Sequence, residues 1–155
     1  MRAALASLAV SALFVGGCGS GGDDAPERSV VAEELAALCV AAREDVEALG
    51  LPAEAGFAVL EPWAARGRRL ARDVAQLQAG TAAERSQLAA LAKQLEAYYK
   101  GLRLAYDVYV QTKSSESYGV AAERATAYLE DAEALARGLG VSECAERPFA
   151  DYEPS

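Results

Sequence analysis

From Ser29 to Leu139 apolar residues recur at steps of three and four, the period of an α-helix with one buried face. Strand-like alternation does not occur. Ser29 is placed to cap a first helix over 30–49, with Val31, Leu35, Leu38, Ala42, Val46 and Leu49 on its inner face. Gly50 supplies the stop and Pro52 prevents continuation. The stretch 51–60, LPAEAGFAVL, is too apolar for a solvated loop, so Leu51, Phe57, Val59 and Leu60 are expected to cover one end of the core. Pro62 suits the first turn of a second helix. Its inner face is Trp63, Gly67, Leu70, Val74 and Leu77, and Gly80 ends it.

Thr81-Ala82-Ala83-Glu84 has the spacing of a capping box. A third helix therefore starts after a link of about two residues, which makes an antiparallel helical hairpin. Leu88, Leu91, Leu95, Tyr98, Leu102, Ala105 and Tyr109 form a heptad-like seam on this helix, which is expected to span 82–112. At 1.5 Å per residue it is roughly 46 Å long, against about 30 Å for the first two helices. It must overhang, bend near Gly101, or be covered by the 51–60 segment. Lys113–Gly119 reads as a polar break. A fourth helix over 118–139 follows, with Ala121, Ala125, Tyr128, Ala132, Leu135 and Leu139 inside, then Gly140 and Val141 as its C-terminal cap. The pattern predicts an all-α, up-down-up-down four-helix bundle over 29–147, with 148–155 as a C-terminal tail.

The chain ahead of the bundle has a different character. Met1-Arg2 is a short basic start, and Ala3–Val15 is an apolar run of thirteen residues. Spanning a hydrocarbon core takes about 20 residues, so the run has the length of a signal-peptide core instead. Val15-Gly16-Gly17-Cys18 comes next. This segment resembles the lipobox of bacterial lipoproteins, in which an apolar residue and two small residues precede a cysteine. The resemblance implies a leader over 1–17, removed just before Cys18, and a diacylglyceryl group on the Cys18 thiol. It places the protein outside the cytoplasm, held by lipid to the cell membrane or an outer membrane. Two or three acyl chains, at roughly 0.8 kcal/mol per buried CH₂, anchor stably. The alternative is an ordinary secretory leader with Cys18 incidental. Gly19–Arg28, GSGGDDAPER, reads as a flexible tether with a root-mean-square span of roughly 17 Å. Gly17–Gly22 also fits G-x-G-x-x-G, but no strand precedes it and no helix follows directly, so it is not a dinucleotide motif.

If Cys18 takes lipid, Cys39 and Cys144 remain as an even pair in an oxidising compartment. The bundle topology agrees: Cys39 lies about 14 Å up the first helix, and four extended residues after Gly140 reach about 13 Å. A Cys39–Cys144 disulfide is expected, with two buried free thiols as the alternative. Leu139-Gly140-Val141-Ser142-Glu143-Cys144 resembles the Leu-Gly-x-x-x-Cys ending of uncharacterised helical lipoproteins from high-GC bacteria. Twelve Arg against three Lys fits such a composition. That resemblance brings no activity with it.

Composition narrows the chemistry. The chain has no His, which excludes Ser-His-Asp and Cys-His nucleophilic systems, Glu-x-x-His di-iron sites and C-x-x-C-H haem attachment. No cofactor and no metal site are expected. A formal charge of −8 without a basic stripe does not suit nucleic acid. Carboxylate-only acid–base chemistry would have to use Glu33/Glu34, Glu44/Glu47 or Glu130/Asp131/Glu133, all on expected outer faces. The chain is accordingly read as no enzyme.

Two surfaces stand out. Arg66, Arg68, Arg69 and Arg72 form a local basic patch, either a solvated face paired with neighbouring carboxylates or a contact for an anion or lipid headgroup. Tyr98, Tyr99, Tyr106 and Tyr109 cluster on the third helix. Tyr98 and Tyr109 belong to the seam. Tyr99 and Tyr106, seven apart on its flank, line either a groove for a partner or semi-buried packing. The expected function is a non-catalytic envelope interaction protein that uses Tyr99, Tyr106, Arg66, Arg69 and Arg72. The alternative is a carrier of a small apolar or amphiphilic ligand held near Trp63, Tyr98 and Tyr109. The long seam leaves the oligomeric state open.

Overall fold

The computed structural model describes residues 29–50 and 57–145. The leader, Cys18, the tether and the 148–155 tail lie outside them, as do residues 51–56 of the first connection. Among the described residues four helices carry the fold: α1 (Val30–Glu47), α2 (Leu60–Gln76), α3 (Ala82–Thr112) and α4 (Ser115–Gly138). Short 3₁₀ turns at Phe57–Val59 and Glu143–Ala145 flank them. The described residues contain no strand.

The ends of the helices fix the topology. Val31, Leu35, Val74, Leu88, Leu91, Ala136 and Val141 share one core cluster. It therefore unites the start of α1, the end of α2, the start of α3 and the end of α4. Val46, Val59, Leu60, Trp63, Ala105 and Tyr118 form a second cluster at the opposite end. Successive helices thus run antiparallel, as the apolar pattern predicts. The Cys39–Cys144 disulfide closes the arrangement, with Cα atoms 5.0 Å apart, and joins the turn after α4 back onto α1. Among the described residues no helix is long and apolar enough to cross a membrane.

Sequence chemistry sets most of the boundaries. Ser29 caps α1 by accepting from the Ala32 amide at 3.2 Å. Thr81 and Glu84 complete the capping box of α3, each side chain accepting from the other's backbone amide. Three expected boundaries are corrected. α2 ends at Gln76, not near Gly80, because Leu77 turns to extended backbone (ψ 138°). The link to α3 is therefore five residues, 77–81, and Leu77 and Ala79 pack on the core from it. α2 also begins at Leu60, inside the stretch expected to be irregular, and Val59 and Leu60 do cover the end of the core. The expected Lys113–Gly119 break shrinks to Lys113 and Ser114. Lys113 takes a left-handed conformation (φ 55°), and the Ser114 side chain accepts from the Ser117 amide at 3.2 Å to restart the helix as α4.

The α3–α4 hairpin is the tightest part of the molecule. A Cβ built on Gly101 would stand 2.6 Å from the Ala125 Cβ, so the two backbones meet there with no side chain between them. Gln94 donates to Asp131 at 3.2 Å further along the same seam. Ala125 cannot move aside by changing rotamer. Gly101→Val is therefore expected to lose about 2 kcal/mol of unfolding free energy in urea, as overpacking usually does. Adding Ala125→Gly should return part of it.

Measured against α2, α3 overhangs. Glu61 at the start of α2 already faces Arg103, so residues 106–112 of α3 extend past α2 beside the first turns of α4. The length mismatch is thus met by overhang. Tyr106 and Tyr109 in that overhang pack against the second core cluster.

The expected face of α4 holds except at Tyr128, with Ala121, Leu135 and Leu139 packed on the core beside buried Ala125 and Ala132. Tyr118, Ala125, Ala132, Glu133 and Ala136 are buried, whereas Tyr128 is 45% exposed. Starting the helix at Ser115 brings Tyr118 inward, and the 118, 125, 132, 136 stripe follows from it. Glu133, expected on an outer face, is buried, with Arg137 one turn away at 3.8 Å.

Candidate functional site

The four arginines of α2 do gather. Arg66, Arg68, Arg69 and Arg72, with Pro62 and Ala65, surround a surface cleft of about 380 Å³. Arg66 pairs across the helix interface with Asp45 of α1. The Arg68 side chain donates to the Ala64 carbonyl at 3.3 Å, and Arg69 and Arg72 point outward from an exposed surface. On the neighbouring face of α3, Lys100 holds Glu96 at 2.8 Å. The hydrogen bond from Lys100 holds the Glu96 carboxyl below its ordinary range, helped by the charges of Lys100, Arg68 and Arg72. Glu96 is fully exposed, so this shift reports the surrounding positive potential more than stability. Arg103 joins the same side through Asp107 and Glu61.

The tyrosines do not form a groove. Tyr99 packs its ring over Gly67 of α2, where a Cβ would meet the ring carbons at 2.2 Å. Gly67 is what lets an aromatic ring lie between two helices at this point. Tyr98 meets Tyr99 edge-on, ring centroids 4.9 Å apart and planes at 61°. Burial pushes the Tyr99 phenol up to about 12. Tyr106 sits against the second core cluster, on another part of the helix. Of the two alternatives for this pair, packing is the one the structure supports.

The raised Tyr99 value makes a pH prediction. In the unfolded chain a tyrosine ionises near 10, while the folded ring resists ionisation up to about 12. Stability is therefore intact below pH 10 and falls as pH rises from there toward 12. An absorbance titration of phenolate should show a late component that Tyr99→Phe removes. The same substitution should flatten the alkaline stability loss.

A second surface cavity, of about 440 Å³, lies where the chain enters the bundle, between Val30, Val31 and Glu34 of α1 and Gln78, Gly80 and Glu84 of the α2–α3 link. Neither cavity is lined by Trp63, Tyr98 or Tyr109. Trp63 is instead packed in the second core cluster at 2% exposure. Of the carboxylate candidates, Glu33, Glu34, Glu44 and Glu47 lie on α1, and Glu130, Asp131 and Glu133 on α4. Among the described residues no three acidic or thiol side chains gather in a way that would hold a metal.

The apolar pattern leaves several exposed side chains unannounced. Leu104 (62% exposed), Val110, Val120 and Tyr128 are large apolar side chains open to solvent on the α3–α4 hairpin. Leu104 and Val120 could have been noticed as apolar residues lying off the predicted stripes. Comparison with protein-family models, curated proteins and solved structures finds no match.

Proposed function

We propose that this chain is a lipid-anchored, extracytoplasmic helical bundle that acts as a non-catalytic interaction module of a bacterial envelope. The anchor rests on the resemblance of Val15-Gly16-Gly17-Cys18 to a lipobox. The binding role rests on one observation: Leu104, Val110, Val120 and Tyr128 stay exposed on the α3–α4 hairpin although the core behind them is filled. Apolar side chains left outside the core favour docking, because a partner that covers them removes apolar surface from water. The carrier alternative has less support. Trp63 is enclosed by side chains, and both described cavities open on the surface.

A photoreactive amino acid placed at Leu104 or Tyr128 in living cells tests the binding role. The expected result is one dominant protein adduct from both positions, weakened by Leu104→Glu and absent from a probe at exposed Glu123. Adducts equal at all three positions, or a small molecule retained with the purified chain, would contradict the proposal.

A further inference from the structure

Charge is divided unevenly among the four helices. α1 carries five carboxylates and one arginine, and α4 five carboxylates and two arginines. α2 reverses the ratio with four arginines to two carboxylates, and α3 carries four cations to three carboxylates. The turn after α4 and the Cys39–Cys144 bond bring α4 to α1, while α2 packs along α3. α1 also packs on α2, and α4 packs chiefly on α3, so each acidic helix borders a basic one. Positive charge is densest on the middle of α2. Arg43, Lys100, Arg103 and Arg137 each meet a carboxylate one turn away. Arg68, Arg69 and Arg72 make no ion pair among the described residues, and they stand around the 380 Å³ cleft. Glu96 on α3, held below its ordinary range chiefly by its hydrogen bond from Lys100, also feels Arg68 and Arg72. Guanidinium groups without a close ion pair and ringed about a cleft suit phosphate oxygens, which they bind in a forked geometry.

We propose that the arginine face of α2, with its α3 flank, docks on the phosphate groups of an anionic phospholipid leaflet. This rests on the lipid-anchor reading for its occupant. The tether leaves at Ser29, beside Gln78 and Gly80, roughly 10–15 Å along the bundle from Arg69 by the helix rise. Residues 18–28, fully extended, reach at most about 36 Å. An anchor at Cys18 thus keeps the face within reach of headgroups at high effective concentration, so that weak contacts suffice. The net charge of −8 does not forbid the approach. Asp45 of the adjoining α1 is paired with Arg66, and carboxylates farther off than the Debye length of about 8 Å are largely screened at physiological salt.

The test uses the chain from residue 18 onward with Cys18→Ser, so that no lipid is attached and the arginine face acts alone. Its fold is verified by circular dichroism. Co-sedimentation is measured with vesicles of pure phosphatidylcholine and with vesicles containing 30% phosphatidylglycerol. Binding is expected only with phosphatidylglycerol and should vanish at high salt. Replacing Arg68, Arg69 and Arg72 together by Gln should weaken it on the order of 100-fold, while Glu33→Gln with Glu34→Gln on α1 should not. Equal binding to both vesicles, binding unaffected by the triple variant, or binding of inorganic phosphate without vesicle binding would each overturn the proposal. A Cys18 found unlipidated in cells would sink the anchor but leave this vesicle result as it stands.

Discussion

Removing the Cys39–Cys144 bond is expected to lower the unfolding free energy by about 4 kcal/mol, since closing a loop of this length restricts the unfolded chain by that order. The sequence separation is 105 residues. The bonded Cα atoms are 5.0 Å apart, within the ordinary range for a disulfide, so native geometry takes little away from the effect. Domains of this size have only about 5–15 kcal/mol of stability in total. The Cys39→Ala/Cys144→Ala variant should therefore unfold at far lower urea than the parent, and reducing agent should move the parent toward the variant. The loss also has a local cause. Cys39 is buried in the main core cluster, and the bond holds Val141, fully buried, over the same cluster. A loss below about 1 kcal/mol would mean that helix packing alone fixes the end of α4.

Leu91→Ala carries the next largest effect, a loss of about 3–4 kcal/mol. Leu91 has no solvent exposure and sits among Leu35, Val74, Leu88, Leu95 and Val141, contributed by all sides of the bundle. Truncation removes the transfer energy of its side chain and leaves a void that neighbours on different helices cannot collapse to fill. Leu104→Ala provides the control. It is the same chemical change on the same helix, at a side chain 62% exposed, and it should cost less than about 0.5 kcal/mol. Urea denaturation of both variants at one temperature gives the comparison. Similar losses at the two positions would contradict the assigned core.

How much was readable from the residues depends on how local the signal is. The start of α1 at Ser29 and both ends of α3 at 82 and 112 were legible, because caps act within one turn and the Leu88-to-Tyr109 seam is long. The Cys39–Cys144 pairing followed from counting cysteines and from topology together. The ends of α2 and the start of α4 were less legible. Gly80 looks like a helix stop, yet the core contacts of Leu77 and Ala79 end the helix earlier. Ser114 is as good a cap as any in the chain, but it is hidden within a polar run where no apolar period marks a start. The unforeseen burial of Tyr118 follows from that missed start.

The candidate surfaces divide in the same way. Clustering of Arg66, Arg69 and Arg72 is a helical-spacing property, and it survives into the fold as a cleft. Tyr99 depended on a residue of another helix. Only contact with Gly67 decides that its ring is packed and not exposed, and no pattern within α3 carries that information. The exposed Leu104 and Tyr128 likewise become conspicuous only once the register of α3 against α4 is known.

The intact mass of the chain extracted from its own cell envelope tests the central claim most directly. The account predicts a mature chain that begins at Cys18 and carries a diacylglyceryl group there. It also predicts a gain of two hydrogens on reduction, from the Cys39–Cys144 bond. A chain that begins elsewhere, or a free thiol at Cys18, would contradict the lipid anchor on which the proposed function stands.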